Sequence, residues 1–332
     1  MHAPDGFLNL GTAAATAVVS AGAIAVSLRQ SRQQLSDRQT PLAGLTAAFV
    51  FATQMVNFPV AAGTSGHLLG GLLAAVLLGP ATGCLVVSTV VLLQALVFAD
   101  GGLTAIGYNT LNMAVVTSFG GYAAFLLFRR LLPRSASGVV MAGGLAGGLS
   151  VVLAAATFSL EWLFGATAPV PFDTVFGSMV GVHALIGIGE GAITAATLSA
   201  VLAVRPDLVF GAADLAPSAL ADRGRWTARG SLWAAVITVA VVAAVISQFA
   251  SSSPDGLERV ADDRGIEASA DAPTTAGSVF ADYATRGIDN EQVSLAVAGV
   301  AGALLAGAVG SGVLLSSRAG RRSGAPAGGV AA

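Results

Sequence analysis

Long apolar stretches without charge alternate along this chain with short segments that carry arginine. No charged residue lies between Arg38 and Asp100, and four later stretches are equally free of formal charge. A run of about 20 apolar residues is long enough to cross the hydrocarbon core of a bilayer as a helix. The pattern therefore predicts an all-α, polytopic membrane helix bundle. Its nine predicted spans lie near 7–28, 41–60, 67–79, 81–99, 104–128, 138–163, 174–203, 231–249 and 292–316.

The third predicted span, 67–79, is short for a membrane crossing. It follows a turn that contains Gly63 and Gly66, and it ends at Gly79 and Pro80, where a proline stops a helix. A helix of 13 residues crosses the bilayer only if neighbouring helices shield its ends from lipid. We therefore expect this segment to be surrounded by protein.

Composition supports a membrane protein and excludes several other classes. Charged residues make up 10% of the 332 residues and mean hydropathy is +0.78, whereas soluble domains carry about 25% charge. The chain has 42 glycines, which favours close helix contacts. It contains no lysine, so a Walker-type nucleotide loop is excluded. A net charge of −2 gives no reason to expect nucleic-acid binding, and the single cysteine, Cys84, excludes an internal disulfide.

Charge and span positions divide the chain into three parts. Residues 1–203 form a seven-span core, 204–230 form a cytoplasmic linker, and 231–332 form a two-span C-terminal hairpin with a tail that we expect to be disordered. The loop of the hairpin, 250–291, has nine acidic residues against three arginines. We expect this acidic loop to lie outside the membrane.

Arginine placement predicts the orientation in the inner (cytoplasmic) membrane. Because cytoplasmic loops collect positive charge, the four arginine clusters are placed inside, which puts the N-terminus outside and the C-terminus in the cytoplasm. The clusters contain Arg29, Arg32, Arg38, Arg129, Arg130, Arg134, Arg205, Arg223, Arg225, Arg229, Arg318, Arg321 and Arg322.

The first residues do not have the features of a signal peptide, and they carry the first candidate chemistry. Asp5 occupies a region where a signal peptide would be basic, so we expect Met1 and His2 to remain in the mature chain. A histidine in second position can chelate a metal through the terminal amine, its own amide nitrogen and its Nδ1, which close a five-membered and a six-membered ring. Displacing the amide proton needs a strongly polarising ion such as Ni²⁺ or Cu²⁺, and Co²⁺ less readily.

A second histidine, His67, is predicted to start the third span on the same side as the N-terminus. It can fill the fourth corner of the chelate and complete an all-nitrogen site with Met1 and His2. The alternative is that His2 is a polar terminal residue and His67 a helix cap. The third histidine, His183, shares a helix face with Glu190, and we interpret this pair as a packing element rather than a coupling element. Polar residues that can orient the N-terminal segment are Gln54, Asn57, Asn109 and Asn112.

Four separated motifs resemble the CbiM/NikM family, the substrate-binding S components of energy-coupling factor transporters for cobalt and nickel. The resemblance covers about residues 1–204, and the stretch 231–316 more loosely resembles the CbiN/PDGLE companion module. The motifs are MHAPDGFL at 1–8, TQMVNFPVAAGTSGHLLGG at 53–71, FADGGLTAIGYNTLNM at 98–113 and GVHALIGIGEGAIT at 181–194, with PDGLE at 254–258 in the hairpin loop.

The resemblance implies a function as well as a fold. It implies a non-enzymatic importer component that binds Ni²⁺ or Co²⁺ at the outer face through Met1, His2 and His67. It also implies a transmembrane T component and cytoplasmic ATPase subunits as partners, with no resident cofactor. The choice between nickel and cobalt stays open. Because the segment 231–332 has no histidine, cysteine or methionine, we expect it to serve assembly or metal loading rather than tight binding.

Two rival functions are weaker. An intramembrane serine protease would use Ser65, within a G-x-S-G-like sequence, with His183 as its base. An S component for an organic vitamin would need a pocket of aromatic and polar side chains, and the chain has only 3 Trp and 3 Tyr.

Overall fold

The computed structural model describes residues 1–34, 39–61, 63–215 and 227–322. Within these ranges the chain is a bundle of helices with one small antiparallel hairpin, in which β1 (Phe58–Pro59) pairs with β2 (Ser65–Gly66). The helices are α1 (Leu10–Gln34), α2 (Gln39–Gln54), α3 (Gly71–Leu78), α4 (Pro80–Leu93), α5 (Ile106–Thr110), α6 (Gly121–Leu131), α7 (Ala136–Gly165), α8 (Phe172–Val204), α9 (Ala228–Ala244), α10 (Gly256–Arg264) and α11 (Glu291–Arg322).

Two helices continue through π-helical turns. The helix that begins as α4 runs on through Gln94–Phe98, and α5 continues through Leu111–Gly120 into α6. Such wide turns often occur at functional sites. The first of them ends at Ala99, whose φ of 56° lies in the left-handed region.

The prediction of an all-α membrane bundle is confirmed. Among the described residues, 7 helices are long and apolar enough to cross a membrane. Two of the nine predicted spans are shorter, because α2 has 16 residues and α3 has 8. The seven long segments are Leu10–Gln33, Pro80–Phe98, Ile106–Leu131, Ala136–Gly165, Phe172–Val204, Arg229–Phe249 and Glu291–Ser316.

The predicted limits of the first three spans are wrong. The first span begins at Leu10 rather than at residue 7 and continues to Gln34. The second ends at Gln54, because the chain then turns into β1. The third becomes helical only at Gly71. Gly70, the residue before it, has a left-handed φ of 78°, which does not fit a right-handed helix. Hydropathy does not detect these limits, since the apolar composition continues through the turns.

Other helices surround α3 on all sides. All eight of its residues are buried, and at about 1.5 Å per residue it spans only about 12 Å. At its far end, a side-chain carbon on Gly79 would lie 3.5 Å from the ring of Phe210, which follows α8. The shielding that the short third span requires is therefore present.

Close backbone contact between α7 and α8 depends on glycine. A Cβ atom on Gly187 would lie 2.6 Å from the carbonyl oxygen of Gly148, and one on Gly148 would lie 2.7 Å from that of Gly187. Small residues at a crossing let two membrane helices approach within van der Waals contact of their backbones. This pairing holds α8, which carries His183 and Glu190, firmly against α7.

The C-terminal hairpin packs against the core. Helix α11 lies along α2, where a Cβ atom on Gly44 would meet the carbonyl oxygen of Gly307 at 2.7 Å. Helix α9 packs on both α2 and α11. Part of the predicted linker, 216–226, lies outside the described residues, as do the tail residues 323–332 and Arg38, Arg223 and Arg225.

Candidate metal site

The N-terminal segment lies inside the protein rather than on its surface. Met1 is 5% exposed and Ala3 is fully buried. The side-chain amide of Asn109 holds Ala3 at both backbone groups: its Oδ1 accepts from the Ala3 N–H at 2.9 Å, and its Nδ2 donates to the Ala3 carbonyl at 2.9 Å. The N–H of Gly102 donates to the same carbonyl at 3.0 Å. Asn109 is thus one of the predicted orienting residues that does contact this segment.

Asp5 anchors the next part of the segment. Its Oδ1 accepts from the backbone N–H and the hydroxyl of Thr104, at 2.7 and 2.6 Å. Its carbonyl accepts from the N–H of Asp271 in the hairpin loop at 2.9 Å, and the hydroxyl of Tyr108 donates to the Pro4 carbonyl at 3.0 Å. These contacts fix the direction from which the first two residues enter the site.

His67 lies in the loop between β2 and α3, and a buried carboxylate on α8 holds that loop. Glu190 accepts hydrogen bonds from the N–H groups of Leu69 and Gly70 at 2.6 and 3.0 Å. The Nδ1–H of His67 donates to the Leu68 carbonyl at 3.1 Å, which leaves the lone pair on Nε2. That nitrogen lies 2.7 Å from the terminal nitrogen of Met1.

His2 stacks on His67, with ring centroids 5.3 Å apart and planes inclined by 17°. Its Nε2 lies 3.0 Å from Oε1 of Gln94, and its Nδ1 lies 3.2 Å from Oδ1 of Asp100. Burial lowers the pKa of His2 to about 4, so the ring is neutral. Both neighbouring oxygens only accept, so the tautomer that donates its single proton from Nε2 to Gln94 is the one that leaves the Nδ1 lone pair, beside the Asp100 carboxylate.

Gln94 is itself oriented by a residue of the hairpin loop. Its Nε2 donates to the phenol oxygen of Tyr283 at 3.0 Å, and the Tyr283 hydroxyl donates to Oδ2 of Asp100 at 2.5 Å. Burial and the nearby Asp100 raise the pKa of Tyr283 well above its usual value, so the phenol keeps its proton. The sequence reasoning missed Gln94, Asp100 and Tyr283 because nothing in the local sequence links them to His2.

Asp255 of the PDGLE motif also reaches the site. Its Oδ2 pairs with the terminal amine of Met1 and lies 3.6 Å from Nε2 of His67. Although burial opposes its charge, the Met1 ammonium and His67 hold the pKa of Asp255 well below its usual value. The sequence reasoning noted the motif but not this role. A carboxylate from the C-terminal module thus lies beside the nitrogen atoms of the predicted all-nitrogen donor set.

The structure brings Met1, His2 and His67 together, as the chelate hypothesis requires. Two donors at right angles on an ion with bonds of about 2.0 Å lie about 2.8 Å apart, and the Met1 amine and His67 Nε2 are separated by 2.7 Å. In the described part of the chain, no group of three or more His, Cys, Asp and Glu side chains is arranged to hold a metal. A site here thus depends on main-chain nitrogen.

His183, Glu190 and Ser65 have separate partners. The Nδ1–H of His183 donates to the Met179 carbonyl at 2.8 Å, and the ring lines a cavity that also touches Met1, His67 and Asp255. Glu190 accepts hydrogen bonds from the His67 loop instead of pairing with His183. The two residues both lie on α8, but the predicted polar pair between them is not formed. The Ser65 hydroxyl donates to the Ser253 carbonyl at 2.7 Å, a structural role rather than that of a nucleophile.

Comparison with known sequences identifies two regions. A family profile described as "Cobalt uptake substrate-specific transmembrane region" matches residues 2–208, and a PDGLE domain profile matches residues 229–318. A putative fused nickel transport protein NikMN of Archaeoglobus fulgidus is 36% identical over 316 residues, which cover 95% of this chain and 96% of that protein. A putative metal transport protein of Haloquadratum walsbyi is 42% identical over 210 residues, 63% of this chain and 94% of that protein.

A solved structure shares the architecture of the first region. The crystal structure of a truncated transition metal transporter aligns with a TM-score of 0.55 and 28% identity, covering 61% of this chain and 98% of that one. The matched proteins are metal transport proteins and not enzymes, and their names give no support to the protease or the vitamin hypothesis.

Proposed function

Because the chain belongs to the CbiM family of cobalt uptake proteins and carries a fused PDGLE domain, we propose that it is the metal-binding component of an importer for Ni²⁺ or Co²⁺. The observation that carries this proposal is the convergence of the Met1 amine and His67 Nε2, 2.7 Å apart in a buried site. The ion to be transported binds there to the amine, the His2 amide nitrogen, His2 Nδ1 and His67 Nε2.

Each histidine has a hydrogen-bond acceptor at the ring nitrogen that the chelate does not use, and the Asp100 carboxylate at Nδ1 of His2 competes with Gln94 for the proton of that ring. The Nε2–H of His2 is directed to Gln94 and the Nδ1–H of His67 to a backbone carbonyl, so His2 offers Nδ1 and His67 offers Nε2. Partners on the second ring nitrogen fix the tautomer of a metal-binding histidine in this way. In these tautomers neither histidine has to change its protonated ring nitrogen when the ion enters.

The donor set favours late first-row dications over harder ions. Four nitrogen donors that include an ionised amide suit Ni²⁺ and Cu²⁺, and Co²⁺ less well, whereas Mg²⁺ and Ca²⁺ prefer oxygen. The names of the relatives include both nickel and cobalt transport. We propose nickel and cobalt as the substrates without a preference between them.

Transport needs partners that supply energy. The chain has no lysine and hence no Walker-type loop, so we propose that a transmembrane T component and cytoplasmic ATPase subunits drive the import. Arg129 and Arg205 lie at the end of the bundle opposite the metal site, and their partners there are Asp214 and Asp207. With the basic end in the cytoplasm, the metal site faces the outside of the inner membrane.

The test is to extend the N-terminus by three glycines, because a single added residue would place the histidine third, where the amine, two amide nitrogens and Nδ1 form another Ni²⁺ chelate. The extension moves His2 out of second position and converts the amine into an amide, so the two-ring chelate cannot form. We expect Ni²⁺ and Co²⁺ binding, measured by calorimetry on the purified protein, to be lost, while a C-terminal tag of similar size leaves it unchanged. Mass spectrometry of the unextended protein must show Met1 as its first residue. Equal affinity in the two tagged proteins would refute the proposed site.

A further inference from the structure

The carboxylate of Asp255 divides its two oxygens between a helix and the metal site. Its Oδ1 accepts hydrogen bonds from the N–H groups of Leu257 and Glu258 at 2.7 and 2.9 Å, and thereby caps the N-terminus of α10. Glu258 returns the interaction, because its Oε2 accepts from the Asp255 N–H at 2.8 Å. This capping box directs Oδ2 toward Met1 and His67.

Backbone contacts with the core fix the position of this carboxylate. The N–H of Ser65 in β2 donates to the Pro254 carbonyl at 2.8 Å, and the N–H of Ser251 donates to the Asn57 carbonyl at 2.7 Å. These bonds attach the start of the PDGLE motif to the strands that lead to His67. The β1–β2 strand pair that leads to His67, a proposed metal donor, therefore also positions Asp255.

The contact on the other side of the motif is equally close. A Cβ atom on Gly256 would lie 2.9 Å from Cε1 of His183 and 2.6 Å from Cδ1 of Ile186. Only a glycine lets α10 begin this near to α8, because a side chain would push the helix away. The glycine of the motif thus sets the distance at which the preceding aspartate meets the Met1 amine.

We propose that the PDGLE domain completes the metal site with Asp255, which holds the Met1 amine beside His67 in the empty protein and balances the charge of the bound ion. The inference rests on the proposed function and adds to it a residue from the second domain. It also extends the expectation that the C-terminal segment serves assembly or metal loading rather than tight binding, which followed from its lack of histidine, cysteine and methionine.

Charge explains why a carboxylate is needed in both states. A dication bound through one ionised amide has a net charge of one, which equals the charge of the ammonium group that Asp255 meets in the structure. The side chains of Met1 and Asp255 are 3% and 10% exposed, and an uncompensated charge at such a depth is strongly unfavourable. Asp255 therefore faces one positive charge in both the empty and the loaded site, while the more exposed Asp100 lies 3.2 Å from Nδ1 of His2.

The experiment compares two charge-neutralising substitutions on the PDGLE segment. Asp255→Asn removes the charge but keeps an oxygen that can cap α10, since asparagine is a favoured N-cap residue. Asp263→Asn removes an equal charge at the surface, where Asp263 pairs with Arg259 at 3.0 Å. Both are made in the full chain with an unextended N-terminus, and calorimetry with NiCl₂ and CoCl₂ measures the affinity.

We expect Asp255→Asn to weaken binding of both ions by about 30-fold or more, as the loss of one partner of a buried charge pair does, and Asp263→Asn to change it by less than about threefold. The visible absorption of bound Ni²⁺ should shift in Asp255→Asn, because the neighbouring charge changes. Should Asp255→Asn lower the folded yield, Asp255→Ser offers a second capping residue without charge.

Unchanged affinity in Asp255→Asn would overturn the inference, and so would an equal loss in both variants, since that would point to the charge of the whole loop. The glycine extension at the N-terminus separates this failure from that of the proposed function. If the extension abolishes binding while Asp255→Asn does not affect it, only the role of Asp255 is wrong. If the extension has no effect, the chelate itself is wrong.

Discussion

Gln94 and His2 are joined by a hydrogen bond of 3.0 Å that runs from the Nε2–H of the imidazole to the amide oxygen. Because the amide oxygen accepts only, this bond favours the proton on Nε2, in competition with the Asp100 carboxylate 3.2 Å from Nδ1. Tyr283 receives a hydrogen bond from the other end of the same amide at 3.0 Å. Gln94, at the start of the π-helical continuation of α4, and Tyr283 of the C-terminal loop thus favour the His2 tautomer that the proposed chelate needs.

The first prediction concerns this bond. Gln94→Leu removes the acceptor, so both tautomers of His2 become accessible and the ring loses its orientation. We expect the affinity for Ni²⁺ to fall about 10- to 100-fold, the usual effect of removing a group that orients a metal ligand. Calorimetry measures it. Gln248→Leu is the control, because Gln248 donates to backbone carbonyls of Ala244 and Gln292, which belong to the C-terminal hairpin. A similar loss in both variants would contradict the role of Gln94.

The second prediction concerns Glu190 as a positioning residue for His67. Glu190→Ala leaves the N–H groups of Leu69 and Gly70 without their acceptor, at a cost of about 1–3 kcal/mol for each buried group. We expect metal affinity to fall, because the loop that holds His67 shifts, and Glu190→Gln to give an intermediate value, since one oxygen remains. Calorimetry and thermal unfolding in detergent check both effects.

The control for Glu190 is another buried carboxylate on a neighbouring helix. Glu161 accepts a hydrogen bond from Asn112 at 2.8 Å, and Glu161→Gln should leave the metal affinity within about threefold of the original while Asn112 keeps an acceptor. The visible absorption of bound Ni²⁺ should change in Glu190→Gln but not in Glu161→Gln. If the absorption of bound Ni²⁺ changed in Glu161→Gln but not in Glu190→Gln, the positioning role of Glu190 would be wrong.

The third prediction tests the helix crossing that supports the site. Gly187→Ala places a Cβ atom 2.6 Å from the Gly148 carbonyl oxygen, and backbone cannot move aside as a side chain does. We expect a loss of about 1–3 kcal/mol in the free energy of unfolding and a lower melting temperature. Gly181 on the same helix has open space around it, so Gly181→Ala should be neutral or stabilise α8 by about 0.5–1 kcal/mol. Equal melting temperatures for the two variants would contradict the close crossing.

The fourth prediction separates the role of His67 as a proposed metal donor from the structural role of Ser65 in β2. His67→Ala removes a proposed donor, so Ni²⁺ binding should become too weak to measure at micromolar protein. Ser65→Ala removes the hydrogen bond to the Ser253 carbonyl, at a cost of about 0.5–1.5 kcal/mol of stability, and metal uptake by cells should remain largely intact. Loss of binding in Ser65→Ala with normal binding in His67→Ala would reverse the assignment.

The membrane spans could be predicted well because each depends on the composition of its own segment. The helix limits at Gln54 and Gly71 could not, since the apolar run continues through β1 and through the loop that carries His67. Those turns arise from backbone conformation at Gly70 and from contacts with Glu190, which belongs to a helix 120 residues later. Hydropathy contains neither kind of information.

The proposed chemistry of the first two residues is local, because an amine, an amide and an imidazole in a row can chelate an ion whatever the rest of the chain does. What surrounds these groups depends on the tertiary structure. His67, Gln94 and Asp255 are 66, 92 and 254 positions from the residues they meet, and no periodicity connects such positions. Asp255 shows the reason most clearly, because its capping box is visible in the sequence while the direction of its second oxygen depends on how α10 packs between α8 and the strand hairpin.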